Sequence, residues 1–185
     1  MRKALSISMG IRRIVFILIA LIVAGFGVYN FSAYSEKLTP STDLAREAIG
    51  GVNLHDNIND DHLLKQFGSP LSKEDNELYD YYHWKDGLVT ASVHSGPDEG
   101  LIKRIMITAT DNNRSDDPLH TALGIGLGDS KQSVLDLYGS KYYKSNEQTA
   151  DIIGYIDHKQ GITLEFWCSP DATVAEIRLD DADMR

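Results

Sequence analysis

A single cysteine, Cys168, stands in 185 residues, so no internal disulfide can form and a zinc cluster built on several thiolates is excluded. Stability must come from packing. Positive charge is also scarce: 18 Lys and Arg face 27 Asp and Glu, for a formal net charge of −9. Without a broad basic face to replace counterions along phosphates, the chain is expected to bind no nucleic acid. What it does have, 42% hydrophobic and 9% aromatic residues, excludes a chain disordered throughout.

The charge is unevenly placed. Arg2, Lys3, Arg12 and Arg13 precede an uncharged run from Ile14 to Ser35, and the first acid is Glu36. Beyond that point the balance is −13. About 20 helical residues span the roughly 30 Å hydrocarbon layer, and this run is long enough. The flanking arginines predict a cytoplasmic N-terminus and an extracytoplasmic remainder in a single-pass cell-membrane protein. Secretion after signal cleavage is the alternative, although Asn30-Phe31-Ser32-Ala33-Tyr34 offers bulky residues where a cleavage site needs small ones. The organisation expected is a basic tail over 1–13, a transmembrane signal anchor over 14–34, and a stalk with a short helix over 35–50. A first repeat over 51–110, a linker over 111–123 and a second repeat over 124–185 follow.

The repeat is visible as self-similarity. Gly51-Val52-Asn53-Leu54-His55-Asp56 matches Gly124-Ile125-Gly126-Leu127-Gly128-Asp129. After each comes a short helical pattern closed by an aromatic residue and glycine, Phe67-Gly68 and Tyr138-Gly139. Asn57 and either Asp129 or Ser130 are the expected N-caps, and the closing glycines stand where a left-handed C-cap belongs. Three strand-like runs follow each helix: Leu78 to Trp84, Leu88 to Ser95 and Leu101 to Ala109, then Asp151 to His158, Ile162 to Cys168 and Val174 to Asp180. The fold class expected is α+β, two tandem α-β-β-β repeats with an antiparallel sheet, preceded by one N-terminal transmembrane helix. A sheet covered by helices on one face leaves the other face wet or free for a partner.

The phrase Gly126-Leu127-Gly128-Asp129-Ser130-Lys131, with Val134, Tyr138-Gly139 and a meander after it, resembles a small-repeat superfamily. That superfamily includes β-lactamase inhibitory protein and the SmpA/OmlA-type outer-membrane assembly lipoproteins. The resemblance covers roughly residues 51–180 and implies a non-enzymatic binding module outside the cytoplasmic membrane. The chain departs from it in lacking the inhibitors' disulfides and the lipoproteins' lipid-modified cysteine.

Candidate chemistry is sparse. His55-Asp56 and Asp60-Asp61-His62 gather metal-type ligands, but they read as a hydrated helix N-terminus favoured by the helix dipole. Asp111 to Asp117 has calcium-loop spacing but places Asp116 where the turn glycine belongs and Ala122 at position twelve. No serine lies in a nucleophile elbow, and Cys168 continues the alternation of Ile162, Leu164 and Phe166 as a buried thiol. Asp80, Asp157, Glu165 and Glu176 are the acids that a sheet could pair as acid and base. No catalytic residue, metal or cofactor is therefore expected. The residues expected to bind a partner are Tyr79, Tyr81, Trp84, Arg104, Tyr155 and Trp167, because aromatic and arginine side chains anchor interfaces. The partner expected is an envelope or secreted protein, with the membrane contacted through residues 14–34. Inhibition of a secreted hydrolase is the alternative function, and a small envelope hydrolase the third.

Overall fold

The computed structural model describes residues 36–108, 119–147 and 150–184. The chain divides into two compact units, Met1–Leu38 and Thr39–Arg185. The sheet lies wholly in the second. No helix among the described residues is long and apolar enough to cross a membrane, and the expected span over 14–34 falls outside them.

Each half begins with a turn that its aspartate closes. Asp56 Oδ2 accepts from the Asn53 backbone N–H at 2.9 Å, and Asp129 Oδ2 accepts from that of Gly126 at 2.8 Å. The next residue back, His55 or Gly128, has positive φ, 69° and 87°. Its N–H donates to Ile102 O or Val174 O, each at 2.8 Å. The shared glycine-aspartate phrase is thus a device that ties each helix to the start of its half's last strand.

The helices are α1 (Asp61–Phe67) and α2 (Lys131–Tyr138). Ser130 caps α2, its Oγ accepting from the Ser133 N–H at 3.0 Å. The N-cap of α1 is Asp60, not Asn57, and its carboxylate instead accepts from the Asn57 N–H. Both closing glycines have positive φ, but with ψ of −156° at Gly68 and −165° at Gly139, the mirror-extended region rather than the left-handed helical one expected. That region is essentially restricted to glycine. A Cβ on Gly139 would meet nothing within 4 Å, so Gly139→Val tests backbone strain alone. A loss of about 1–3 kcal/mol in urea unfolding is expected.

Eight strands follow: β1 (Ser72–Asp75), β2 (Tyr79–His83), β3 (Leu88–Val93), β4 (Ile102–Thr108), β5 (Tyr143–Glu147), β6 (Ala150–Asp157), β7 (Ile162–Cys168) and β8 (Val174–Asp181). They form one antiparallel sheet in the order β1-β2-β3-β4-β8-β7-β6-β5. The expected fold class is therefore corrected. Each half contributes four strands, not three, and the described residues form mainly a single continuous sheet with few helical residues. The additional strands β1 and β5 are edge strands made of polar residues, whose lack of apolar alternation hides them in the sequence. At the seam, Arg104 faces Asp180, Met106 faces Arg178 and Thr108 faces Glu176. Residues 72 positions apart exchange roles across this register, which places a pseudo-twofold axis at the Met106–Arg178 pair.

The core lies on one face of the sheet. Leu44, Ile49, Val52, Leu63, Phe67, Val134 and Tyr138 pack there against Ile105, Ile107, Leu164, Phe166, Ile177 and Leu179. The helix expected over Asp43 to Ile49 is absent, and only a turn forms at Ala45-Arg46. Tertiary bonds override its helical pattern: Leu44 N–H donates to Asp157 Oδ2 at 3.0 Å, and Ile49 bridges to Val52 and Thr121. Within that segment Glu47, 9% exposed, accepts from the Ala122 N–H at 2.7 Å and the Tyr138 hydroxyl at 2.9 Å.

Burial raises the Glu47 pKa above the usual 4.5, and the donors around it offset only part of that shift. A carboxyl whose folded pKa is raised contributes stability that is complete at low pH and is lost as pH climbs through the folded value. Glu47→Gln removes this dependence. The variant is therefore expected to gain stability relative to wild type as pH rises above 4.5, read as the difference of two urea-unfolding series.

Candidate functional site

Strand alternation assigns each side chain to the helix-covered face or to the face that carries no described helix. Cross-strand partners share a face, so the register traces the uncovered face from Tyr79, Tyr81 and His83 on β2, across Val89 and Ala91 on β3, to Arg104, Met106 and Thr108 on β4. It continues through Glu176, Arg178 and Asp180 on β8 to Thr163, Glu165 and Trp167 on β7.

The centre of this face is an ion pair. Arg104 Nε donates to Asp180 Oδ1 at 2.7 Å and Nη2 to Oδ2 at 2.6 Å, with side chains 17% and 7% exposed. Burial raises the Asp180 pKa, and the Arg104 guanidinium opposes that rise. Beside the pair, Arg178 lies 4.6 Å from the centre of the Trp167 ring, within cation–π range, and donates to Glu176 Oε1 at 2.6 Å. The Trp167 indole N–H donates to Glu165 Oε2 at 3.0 Å, and the Tyr143 hydroxyl donates to the other oxygen of Glu165. Tyr143 reaches that carboxylate by crossing Gly154, the residue opposite it on β6. The result is a surface of half-buried aromatic and aliphatic groups whose charges are largely neutralised within the surface itself.

Four of the six residues expected to meet a partner lie on this face: Tyr79, Tyr81, Arg104 and Trp167. The other two do not, and that expectation is corrected. Trp84 is 3% exposed, its indole N–H donating to Thr90 Oγ1 at 2.9 Å and its ring packed 6.4 Å from Phe67 and 6.2 Å from Tyr82. Tyr155 is 0% exposed, packs 5.3 Å from Tyr138 and donates its hydroxyl to Gly139 O at 2.9 Å. Both sit on the helix-covered face: Trp84, just beyond β2, continues the face of Asp80 and Tyr82, and Tyr155 on β6 pairs with the core residue Leu164. Arg178, Asp180 and Tyr143 are not among the residues expected to bind a partner, and Glu165 is expected only as an acid that a sheet could pair. Alternation with the core positions of β7 and β8 marks Glu165, Arg178 and Asp180 in the sequence, whereas nothing local marks Tyr143 on β5.

Of the acids that a sheet could pair for chemistry, Asp157, Glu165 and Glu176 are engaged in structural hydrogen bonds. Asp157 accepts from the backbone N–H groups of Leu44, Lys159 and Gln160; burial alone would raise its pKa, and these three donors outweigh it and lower it. Glu176 is taken by Arg178 and Thr108. Asp56 and Asp60 close turns and His55 pairs with Asp181. Asp111 to Asp117 lies outside the described residues. Cys168 is fully buried, and burial raises its thiol pKa, which keeps it unreactive.

No family model and no curated protein matches the chain. Its fold is similar to the crystal structure of a DUF4309 family protein (YjgB) from Bacillus subtilis subsp. subtilis str. 168, with a TM-score of 0.43 and 20% identity over 71% of this chain and 82% of that one. It is also similar to an extracellular protein containing a SCP domain from Bacillus anthracis str. Ames, with a TM-score of 0.40 and 10% identity over 70% of this chain and 45% of that one. The chain thus spans under half of the second protein. Neither is described as an inhibitory protein or an assembly lipoprotein.

Proposed function

We propose that the chain is a non-enzymatic binding module, held at the cytoplasmic membrane by its apolar N-terminal segment, that engages an envelope protein through the uncovered face of its sheet. The observation that carries this reading is the gathering of Tyr79, Tyr81, Met106, Arg104 and Trp167 on one surface with no described helix over it. Aromatic groups held by cross-strand neighbours present large contact area with little entropy left to lose. The internal pairing of Arg104 and Arg178 with acids favours a partner that brings apolar and hydrogen-bonding groups rather than a strong field of one sign. The acids on and near this face are engaged in structural hydrogen bonds, which favours binding over catalysis.

The test uses a photo-crosslinking residue placed in the full chain in its own cells, at position 81 or 106 on the sheet face and at 64 or 137 on the exposed side of the helices. One discrete envelope protein crosslinked from 81 and 106 only is the expected result. Equal crosslinking from both sides, or none from either, would sink the proposal. A hydrolase recovered there and inhibited by the chain would identify the inhibitor function instead. Protease added to intact cells is expected to digest residues 36–185, and protection until lysis would overturn the orientation.

A further inference from the structure

On the helix-covered side, at the β1 end of the sheet, three metal-type ligands converge. Asp75 on β1 faces Asp80 on β2, and Asp80 faces Ser92 on β3. His94 follows β3, and its Nδ1 lies 2.7 Å from Asp80 Oδ1. One ligand atom from each of Asp75, Asp80 and His94 falls within 4.8 Å of the other two. Asp80, Ser92, His94 and Lys73 line a cavity of about 490 Å³. Metal–ligand bonds of about 2.0–2.2 Å put neighbouring donor atoms roughly 3 Å apart, so Asp80 and His94 already stand close to ligand spacing.

A second observation points to an occupant. Ser92 is 1% exposed, and its hydroxyl has no hydrogen-bond partner among the described residues. A buried polar group without a partner costs free energy, and native proteins rarely leave one so. Its register places it on the same face as Asp80, and it lines the same cavity. The cavity also holds a tethered cation: Lys73 Nζ lies 2.7 Å from Asp75 Oδ1 and 3.0 Å from Asp80 Oδ2.

We propose that Asp75, Asp80 and His94 bind a divalent transition cation of the zinc type, which displaces the Lys73 ammonium and carries a water that hydrogen-bonds to Ser92 Oγ. One imidazole with two carboxylates is a borderline-soft set, which favours such an ion over calcium. His94 ligates as the neutral imidazole through Nδ1, with its proton on Nε2. Lys73 stands in for the ion when the site is empty, so the lysine is a competitor and not a ligand. Because the ligands come from β1, β2 and the segment after β3, the ion clamps the four-residue edge strand β1 to the sheet.

The test is calorimetric titration of metal-stripped full chain with zinc chloride, and with calcium chloride as control. One zinc site is expected, with calcium at least about tenfold weaker. Asp80→Asn and His94→Gln should each abolish it, whereas Lys73→Met should tighten it several-fold. Circular dichroism of each variant separates lost binding from lost fold, and His94→Gln, outside the strands, is the variant least coupled to folding. Zinc should also slow amide hydrogen exchange at residues 72–75 in wild type and not in His94→Gln. No zinc binding by wild type and Lys73→Met alike would overturn the proposal, as would zinc binding that persists in both ligand variants.

Discussion

Arg104→Ala is expected to lower the stability of the sheet by about 3–5 kcal/mol, the usual cost of removing one partner from a largely buried ion pair. Arg104 makes two charge-assisted bonds to Asp180 at the seam between the halves, and alanine replaces neither. The Asp180 carboxylate would then be buried against Glu165 with less positive charge near it, and its pKa, already raised by burial, would climb further. A raised acid is stabilising when protonated and loses that contribution as pH rises through its folded pKa. The deficit of the variant should therefore be largest at neutral pH and shrink on acidification. Urea midpoints across a pH series read this directly. The double variant Arg104→Met, Asp180→Leu should recover most of the loss, since a buried pair exchanged for apolar groups of similar size is often neutral or better. An Arg104→Ala protein as stable as wild type at pH 7 would show that the pair is not desolvated.

Gly154→Val is expected to be about as damaging, roughly 3 kcal/mol, for a reason of shape rather than charge. A Cβ at Gly154 would fall inside the Tyr143 ring, against its Cζ, Cε1 and Oη atoms. An aromatic ring lying over a strand glycine fills the space that a missing side chain leaves. Valine would drive the ring off the sheet and break the bond from its hydroxyl to Glu165, which also holds the Trp167 indole. Tyr143→Ala in the same chain removes the obstacle, so the two substitutions together should cost less than their sum by about 1–2 kcal/mol. Strict additivity in the unfolding free energies would refute the ring-over-glycine account.

These two sites show where sequence reasoning reaches and where it stops. Alternation in Ile105, Ile107, Ile177 and Leu179 revealed the central strands, because a strand with one buried face writes a period of two into its residues. The matched Gly51 to Asp56 and Gly124 to Asp129 phrases revealed two similar halves, because each aspartate closes the same turn. Nothing comparable marks β1 or β5. Ser72-Lys73-Glu74-Asp75 buries no side chain, so its strand character comes from the backbone of β2 beside it. The Asp43 to Ile49 pattern was helical in spacing, yet Glu47 and Leu44 find partners far along the chain that a helix would forfeit.

For the candidate face, residue type was legible and direction was not. Tyr81 and Trp84 look alike as interface aromatics, but one faces Ala91 on the uncovered side and the other bonds Thr90 in the core. The pairing of Arg104 with Asp180 spans 76 positions and depends on the register of β4 against β8. No local pattern encodes that register. The zinc-type ligands were invisible for the same reason, since Asp75, Asp80 and His94 are brought together only by the turns that stack β1, β2 and β3.

The order of strands has a consequence for how the protein is made. β8, the last of the described strands in chain order, belongs in the middle of the sheet, between β4 and β7. When β4 has been synthesised, its outer edge must wait for some seventy further residues, and until then Ile105 and Ile107 sit beside unpaired backbone groups. A neighbouring nascent chain that has already completed its own β8 carries a strand of matching register. Synthesis at high local density therefore invites exchange of second halves between copies, a swapped dimer in which each sheet is closed by the other chain's β8.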